Sequence, residues 1–258
     1  MKDCNFATML KHKYVKDPCK VLPNALWKTI DRLDSIECLC DRVSSSLEGW
    51  DKNGLHIFWN ESRSIDNACT NRIEEANFAI IHNDFFQKIN REGFRLIKPY
   101  FRISTECKEV SPYSLNERFS ISNVNVETEL REVSELIGKC YKDIHPSVES
   151  VQQWTKSKVF DNNLWIWIVD KVANIPIGLG IADLDRSIPE GSLEWIQVLP
   201  EYQGIGLGKV LVLELLDRMS GKVEFVTVSG EVDNITNPER LYRSCGFQGD
   251  DVWWLLRK

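Results

Sequence analysis

The sequence lacks long apolar runs and a surplus of basic residues, and each absence excludes a class of protein. Its 258 residues contain no apolar run of about eighteen residues, so a membrane-spanning helix is excluded. The formal net charge is -6 and the pI is about 5.4, so lysine and arginine are not in excess to neutralise the phosphates of a nucleic acid. We therefore expect a soluble protein with no membrane span and no nucleic-acid partner.

The sequence also lacks the cysteine and histidine spacings of a disulfide framework or a metal site. Its eight cysteines and four histidines are scattered. Cys38 and Cys40 are the one close pair, and a single intervening residue is poor zinc geometry without a second pair or a nearby histidine. We expect reduced thiols, no bound metal and no histidine-based catalysis. The first residues lack the apolar core of a secretory signal, so the expected localisation is cytoplasmic.

Local patterns divide the sequence near residue 115. The segment at residues 111–114, Ser-Pro-Tyr-Ser, resembles a joint, and turn signals are more regular after it than before it. We predict an additional α/β domain at residues 1–115 and a second domain at residues 116–258. The possible elements of the first domain are helices at 31–46 and 84–89 and strands at 55–59, 78–81 and 94–103. Their spacing fits no motif, so this domain could be a lid, a dimerisation surface or a degenerate second copy of the other domain.

The second domain alternates strand and helix patterns. Apolar residues recur every three or four positions over residues 129–141, which predicts a helix with one buried stripe. A helix at 209–220 carries too many apolar residues for one stripe, so we expect it to be buried against a sheet. The other predicted elements are strands at 118–124, 164–169, 176–182, 193–199, 223–229 and 252–256, and helices at 148–157 and from 237 to a glycine stop at 246.

The most informative segment joins the strand at 193–199 to the helix at 209–220. It reads Gln203-Gly204-Ile205-Gly206-Leu207-Gly208-Lys209. Its glycines leave backbone N–H groups unshielded by any Cβ at the positive end of a helix, where a diphosphate can bind. A dinucleotide motif would follow the first strand and have its third glycine one residue later. A Walker-type loop would need Ser or Thr at position 210, where this chain has Val.

At these residues the sequence resembles the GNAT superfamily of acyl-coenzyme A dependent N-acyltransferases, whose pyrophosphate loop reads Q/R-x-x-G-x-G/A. Residues 203–208 match every fixed position. A second segment is similar to the late helix of that family, in which Asn, Leu-Tyr and Gly-Phe recur, and reads Asn237-Pro238-Glu239-Arg240-Leu241-Tyr242-Arg243-Ser244-Cys245-Gly246-Phe247. The resemblance covers about residues 116–258. It implies a mixed α/β fold, with a mostly antiparallel central sheet flanked by helices, and acetyl-coenzyme A as co-substrate.

The resemblance also implies which residues hold the coenzyme. Backbone amides of the loop would bind the diphosphate, and main-chain groups on the preceding strand would pair with the pantetheine arm and polarise the thioester carbonyl. Asn237 caps the late helix and is a secondary candidate for a coenzyme contact. The implied cofactor-binding residues are Gln197, Val198, Gln203, Gly204, Ile205, Gly206, Leu207, Gly208, Lys209 and Asn237.

Two residues are predicted to carry the chemistry. Tyr242 matches the tyrosine that in this family protonates or hydrogen-bonds the departing thiolate. The attacking amine is mostly protonated at neutral pH, so some group must take its proton, and Glu194 is our candidate base. Strand alternation would place residues 194, 196 and 198 on one face unless a bulge intervenes. Glu231 and Asp233, after the next strand, are rival candidates.

We expect direct transfer of an acetyl group from acetyl-coenzyme A to a primary amine in a ternary complex, since no cysteine is placed for a covalent intermediate. A small-molecule amine is the expected partner, and a homodimer is possible. Two alternatives stay open. The protein could be a non-catalytic acyl-coenzyme A sensor or scaffold, or an acetyltransferase that acts on a protein N-terminus or on lysine.

Overall fold

The computed structural model describes residues 6–41, 45–52, 54, 56–108 and 110–258. The chain divides into two compact units that are interleaved along the sequence. Unit 1 comprises Met1–Ser104, Thr227–Glu239 and Gln248–Lys258, and unit 2 comprises Thr105–Val226 and Arg240–Phe247. The division into one domain at residues 1–115 and another at 116–258 stays a prediction.

Both units contain helices and strands. The helices are α1 (Phe6–Lys16), α2 (Pro18–Val21), α3 (Leu26–Ile30), α4 (Asn67–Glu75), α5 (Asn83–Phe86), α6 (Leu130–Cys140), α7 (Val148–Trp154), α8 (Leu207–Met219) and α9 (Pro238–Arg243). The strands are β1 (Glu37–Asp41), β2 (Ser46–Trp50), β3 (His56–Asn60), β4 (Phe78–His82), β5 (Leu96–Glu106), β6 (Phe119–Asn123), β7 (Trp165–Asp170), β8 (Ile175–Asp185), β9 (Glu190–Val198), β10 (Phe225–Glu231) and β11 (Gln248–Arg257). Among the helices of the described residues, none is long and apolar enough to cross a membrane.

Unit 1 is built on strands that hydrogen-bond in the order β1-β2-β3-β4-β11-β5. The β3 and β4 strands are parallel, because α4 carries the chain from one to the other, and the remaining neighbours in this order are antiparallel. The strands and α4 bury an apolar cluster that includes Phe58, Ile73, Ile81, Phe85 and Leu256. Unit 1 therefore has a core of its own.

Unit 2 is built on the antiparallel strands β6, β7, β8 and β9. Helix α8 contacts β8 and β9 and is buried on most sides, as predicted. Glycine lets this helix approach the sheet closely: a Cβ at Gly180 would lie 3.0 Å from Ile166 and 3.1 Å from Leu215. Helix α6 also contacts β8 and β9. The predicted mixed α/β fold with a mostly antiparallel sheet flanked by helices is thus confirmed.

One predicted element is wrong over the described residues. The helix predicted at residues 31–46 is instead a short 3₁₀ turn at Leu33–Ser35 followed by β1, and its last residues belong to β2 and to residues outside the described part. Strand β1 pairs with β2 from Glu37 opposite Trp50 to Asp41 opposite Ser46. The strand is therefore stabilised by a ladder of hydrogen bonds to a neighbour, which local helix propensity does not reveal.

The cysteines differ from expectation at one described position. The thiols of six are free, as predicted: Cys19, Cys38, Cys69, Cys107, Cys140 and Cys245. Cys40 is disulfide-bonded, so the expectation of a reduced thiol is wrong there. Cys4 lies outside the described residues. Spacing along the chain does not show which cysteines the fold brings together.

Candidate active site

The glycine segment forms an exposed loop that leads into α8. Gly204 and Gly206 have φ angles of +80° and +90°, a left-handed conformation that glycine adopts without strain. A Cβ at either position would meet no atom within 4 Å. At Gly208, in contrast, a Cβ would lie 3.2 Å from Cδ2 of Leu241. Two of the glycines therefore leave backbone open to a ligand, and the third allows close packing.

The loop also presents the N-terminal end of a helix. Gly206 is the N-cap of α8, and the N–H of Val210 donates to the Gly206 carbonyl oxygen at 3.2 Å, closing the first turn. The N–H groups of residues 207–209 precede that bond, so they have no acceptor within the helix. Together with the helix dipole, they favour an anion. Of the predicted loop residues, Ile205 and Lys209 are exposed and Leu207 is buried.

The loop is tied to the end of β9 by one side chain. Gln203 Nε2 donates to the Val198 carbonyl oxygen at 2.9 Å. Val198 and Gln197 pair with Gly178 and Leu179 of β8, and the Gln197 side chain donates to the Tyr141 hydroxyl at 2.9 Å. The Gln203 and Gln197 side chains are thus held by the protein, and the Val198 carbonyl oxygen already accepts one hydrogen bond at a position where the coenzyme is predicted to bind.

Strand β9 has a bulge at Glu194. Trp195 pairs with Ile181, and Leu193 pairs with the next residue of β8, Ala182, so Glu194 has no Cα partner on β8. The Glu194 carboxylate accepts a hydrogen bond from the Ser192 hydroxyl at 2.9 Å. Alternation along β9 is broken at this point, so this is the bulge that was the exception to the prediction that residues 194, 196 and 198 share a face.

Tyr242 lies on α9 and is almost fully buried, with 8% of its surface exposed. Its ring contacts that of Phe247, with the centroids 5.8 Å apart. Burial raises the pKa of the Tyr242 phenol, and the negative charges that Tyr141, Cys245 and Glu194 can carry raise it further. The structure therefore brings Tyr242 and Glu194 into one electrostatic neighbourhood of unit 2.

Aromatic side chains lie beside Gln197 on β9. Trp195 stacks on Trp154 of α7, with the ring centroids 5.4 Å apart, and meets the edge of Tyr141 at 6.1 Å. All three are half-buried. Their rings form an apolar surface, and the hydrogen bond between Gln197 and Tyr141 adds a polar group at its edge. The sequence analysis singled out neither Tyr141 nor Ser192 as a site residue.

The remaining predicted residues belong to unit 1. Glu231 forms an ion pair with Lys98, with Nζ and Oε1 2.7 Å apart. Asp233 is exposed. Asn237 directly precedes α9, has a φ of +46°, and its backbone N–H donates to the Asn234 carbonyl oxygen at 2.8 Å. Glu231 is thus neutralised by a cation, whereas Glu194 accepts from a neutral hydroxyl.

Comparison with known protein families gives a match for the segment of the chain that contains this site. Residues 161–249, which include the glycine loop, the bulge of β9 and α9, match the family model described as the acetyltransferase (GNAT) domain. This match supports a GNAT domain in the C-terminal part of the chain.

Individual relatives extend this finding. A segment of 70 residues is 43% identical to N-alpha-acetyltransferase RimI of Mycobacterium tuberculosis, and it covers 27% of this chain and 42% of that protein. The chain thus spans less than half the length of this curated relative. A GCN5-related N-acetyltransferase from Sphaerobacter thermophilus is 13% identical with a TM-score of 0.65, over 91% of this chain and 85% of that one.

The likeness in fold extends over both units. A tandem GNAT protein from the clavulanic acid biosynthesis pathway is 11% identical with a TM-score of 0.59, over 99% of this chain and 95% of that one. At such identities the likeness concerns the fold alone.

Proposed function

We propose that the protein transfers an acetyl group from acetyl-coenzyme A to a primary amine by direct attack within a ternary complex. The observation that carries this proposal is the loop before α8, where Gly204 and Gly206 hold left-handed backbone with open space above it. That arrangement suits the diphosphate of a coenzyme. The GNAT domain match supports the acetyl donor.

Tyr242 assists the departure of coenzyme A as a hydrogen-bond donor. Its raised phenol pKa keeps the hydroxyl protonated throughout the physiological pH range. A thiol has a pKa of about 8.5, so full proton transfer from this phenol to the thiolate is uphill. Donation of a hydrogen bond to the developing thiolate needs no such transfer, and it lowers the energy of the transition state.

Glu194 serves as the base that takes the proton from the attacking amine. The bulge of β9 projects its carboxylate toward the Ser192 hydroxyl, and its charge acts on the Tyr242 phenol. The same negative charge attracts a cationic amine before it loses its proton. Of the three candidates, Glu231 is paired with Lys98 and Asp233 is exposed, so Glu194 is favoured.

A specific observation favours a second candidate acceptor, the α-amino group of a protein. A 70-residue segment of the chain is 43% identical to an N-alpha-acetyltransferase. A free α-amino group has a pKa of about 8, lower than that of an alkylamine, so it needs less assistance from a base. Small-molecule amines and N-terminal peptides therefore both belong in the acceptor panel.

The fold of unit 1 supports its interpretation as a degenerate second copy. It contains a strand, helix and parallel strand in β3, α4 and β4, and the tandem GNAT likeness covers nearly the whole chain. Its helix α4 has Asp66 as N-cap, whose carboxylate accepts from the Cys69 N–H at 2.7 Å. A carboxylate repels a diphosphate where the other helix has glycine, so we expect one coenzyme per chain.

The experiment that tests this function follows free thiol release. The purified protein is incubated with acetyl-coenzyme A and either an amine panel or peptides with free N-termini, and acetylated products are identified by mass spectrometry. We expect release above background with at least one acceptor. Binding of acetyl-coenzyme A without turnover on any acceptor would instead favour the sensor or scaffold, and absence of binding would refute both.

A further inference from the structure

Unit 1 contains a buried group of metal-ligand side chains that the acetyl transfer does not use. Glu48 of β2, His56 of β3 and Cys69 of α4 are exposed by only 6%, 1% and 2%. One ligand atom from each lies within 4.8 Å of the other two. The sequence analysis missed this group because its members are separated by 8 and 13 positions and come from three different elements.

The strand register explains why the three side chains meet. Strands β2 and β3 are antiparallel, with Glu48 opposite Phe58 and Trp50 opposite His56. Glu48 and His56 are therefore diagonal neighbours on one face of the sheet. Helix α4 follows β3 and brings Cys69 against that face.

The distances suit a tetrahedral zinc ion. The Nε2 atom of His56 lies 3.6 Å from Sγ of Cys69 and 3.6 Å from Oε1 of Glu48. Zinc binds nitrogen and oxygen at about 2.1 Å and sulfur at about 2.3 Å, so tetrahedral ligands stand about 3.4 to 3.6 Å apart. Two of the three distances between ligand atoms therefore match a tetrahedral zinc site, and the third, between Glu48 and Cys69, is no more than 4.8 Å.

The donor atoms are also ones that zinc binds. Imidazole nitrogen, carboxylate oxygen and cysteine sulfur are the usual zinc ligands in proteins. A cysteine binds as the thiolate, so zinc binding releases the thiol proton. One thiolate, one carboxylate and a divalent ion sum to zero charge, and the partly exposed guanidinium of Arg72 beside Glu48 adds one positive charge.

Arg72 supplies the competing explanation for the cluster. Its Nε and Nη2 donate to the two carboxylate oxygens of Glu48 at 2.5 and 2.8 Å. This pair alone would neutralise Glu48 without any metal. The Arg72 side chain is 35% exposed, however, so solvent screens its charge, and it can orient the carboxylate from outside the first coordination sphere.

We propose that Glu48, His56 and Cys69 bind one zinc ion, with a water molecule in the fourth position. The ion would join β2, β3 and α4 and so stabilise unit 1. Thiolate and imidazole ligands favour zinc over magnesium or calcium, which prefer oxygen. This site is independent of the proposed acetyl transfer.

The test is zinc titration of the full-length protein after dialysis against a chelator, followed by calorimetry. We expect one zinc per chain and release of a proton, and Cys69→Ser should weaken binding at least about tenfold. The matched control is Cys107→Ser, a buried thiol of unit 2 that donates to the Leu216 carbonyl oxygen and should leave zinc binding unchanged.

Cobalt substitution keeps the proposal testable even if Cys69→Ser fails to fold. In the wild-type protein, Co²⁺ should give a thiolate-to-metal charge-transfer band in the near ultraviolet and tetrahedral d–d bands. Zinc should also protect Cys69 from alkylation, as followed by mass spectrometry. Absence of the thiolate band, or equal zinc affinity in Cys69→Ser, would overturn the proposal in favour of the metal-free pairing of Glu48 with Arg72.

Discussion

Replacement of Gly206 by glutamate should abolish coenzyme binding without unfolding the protein. The added side chain has room, because a Cβ at Gly206 meets no atom within 4 Å. Its cost is the left-handed backbone at a φ of +90°, about 1–2 kcal/mol for a residue other than glycine. For a chain of this size, that corresponds to a fall in Tm of about 2–8 °C.

The assay is the thermal shift produced by acetyl-coenzyme A. At a ligand concentration of one hundred times Kd, binding adds about 2.7 kcal/mol, or about 5–11 °C of Tm. The wild type should show this gain. Gly206→Glu should show none, because its carboxylate occupies the place of the diphosphate.

Gly221 provides a matched control at the opposite end of α8. It also has a positive φ, +72°, and a Cβ there also meets no atom within 4 Å. Gly221→Glu should therefore carry a similar backbone cost and keep the full ligand-induced gain. If acetyl-coenzyme A raised the Tm of Gly206→Glu as much as that of the wild type, the loop would not be the diphosphate site. The same would follow if Gly221→Glu lost the ligand-induced rise in Tm as completely as Gly206→Glu.

Four further substitutions test the catalytic roles and the stability of unit 2, one of them a control. Tyr242→Phe keeps the packing on Phe247, so it should lower kcat by at most about 100-fold, in steady-state thiol release. Glu194→Gln should lower kcat/KM about 100-fold or more, whereas Glu231→Gln should not. Hydrogen bonds from Arg118 are the largest of the effects that hold the pKa of Asp170 below its ordinary value of 3.8. The ionised carboxylate therefore stabilises the fold fully above pH 3.8, and this stabilisation is lost as the pH falls through the lower pKa of the folded state. Denaturation of Asp170→Asn and wild type should accordingly differ most near neutrality and converge in acid.

The loop and the late helix could be predicted from the sequence because their chemistry is local. Gly204 and Gly206 are needed for backbone conformations that side chains disfavour, and Pro238 starts α9 as its position predicts. The role of Gly208 could not be foreseen in the same way. Its need for glycine comes from Leu241, which is distant in sequence.

The surroundings of Glu194 could not be predicted, because register determines them. A bulge shifts the pairing of β9 by one residue relative to β8, and composition does not encode that shift. The Glu48, His56 and Cys69 cluster was missed for a related reason. Pairing of β2 with β3 and the crossover through α4 bring these residues together, and both are long-range events.

The most direct measurement of the central claim is a crystal structure with coenzyme A bound. The account predicts diphosphate oxygens at hydrogen-bonding distance, about 2.7–3.2 Å, from backbone nitrogens within residues 204–209. It also predicts the coenzyme sulfur next to the Tyr242 hydroxyl. A coenzyme bound elsewhere, with the loop free of phosphate, would contradict it.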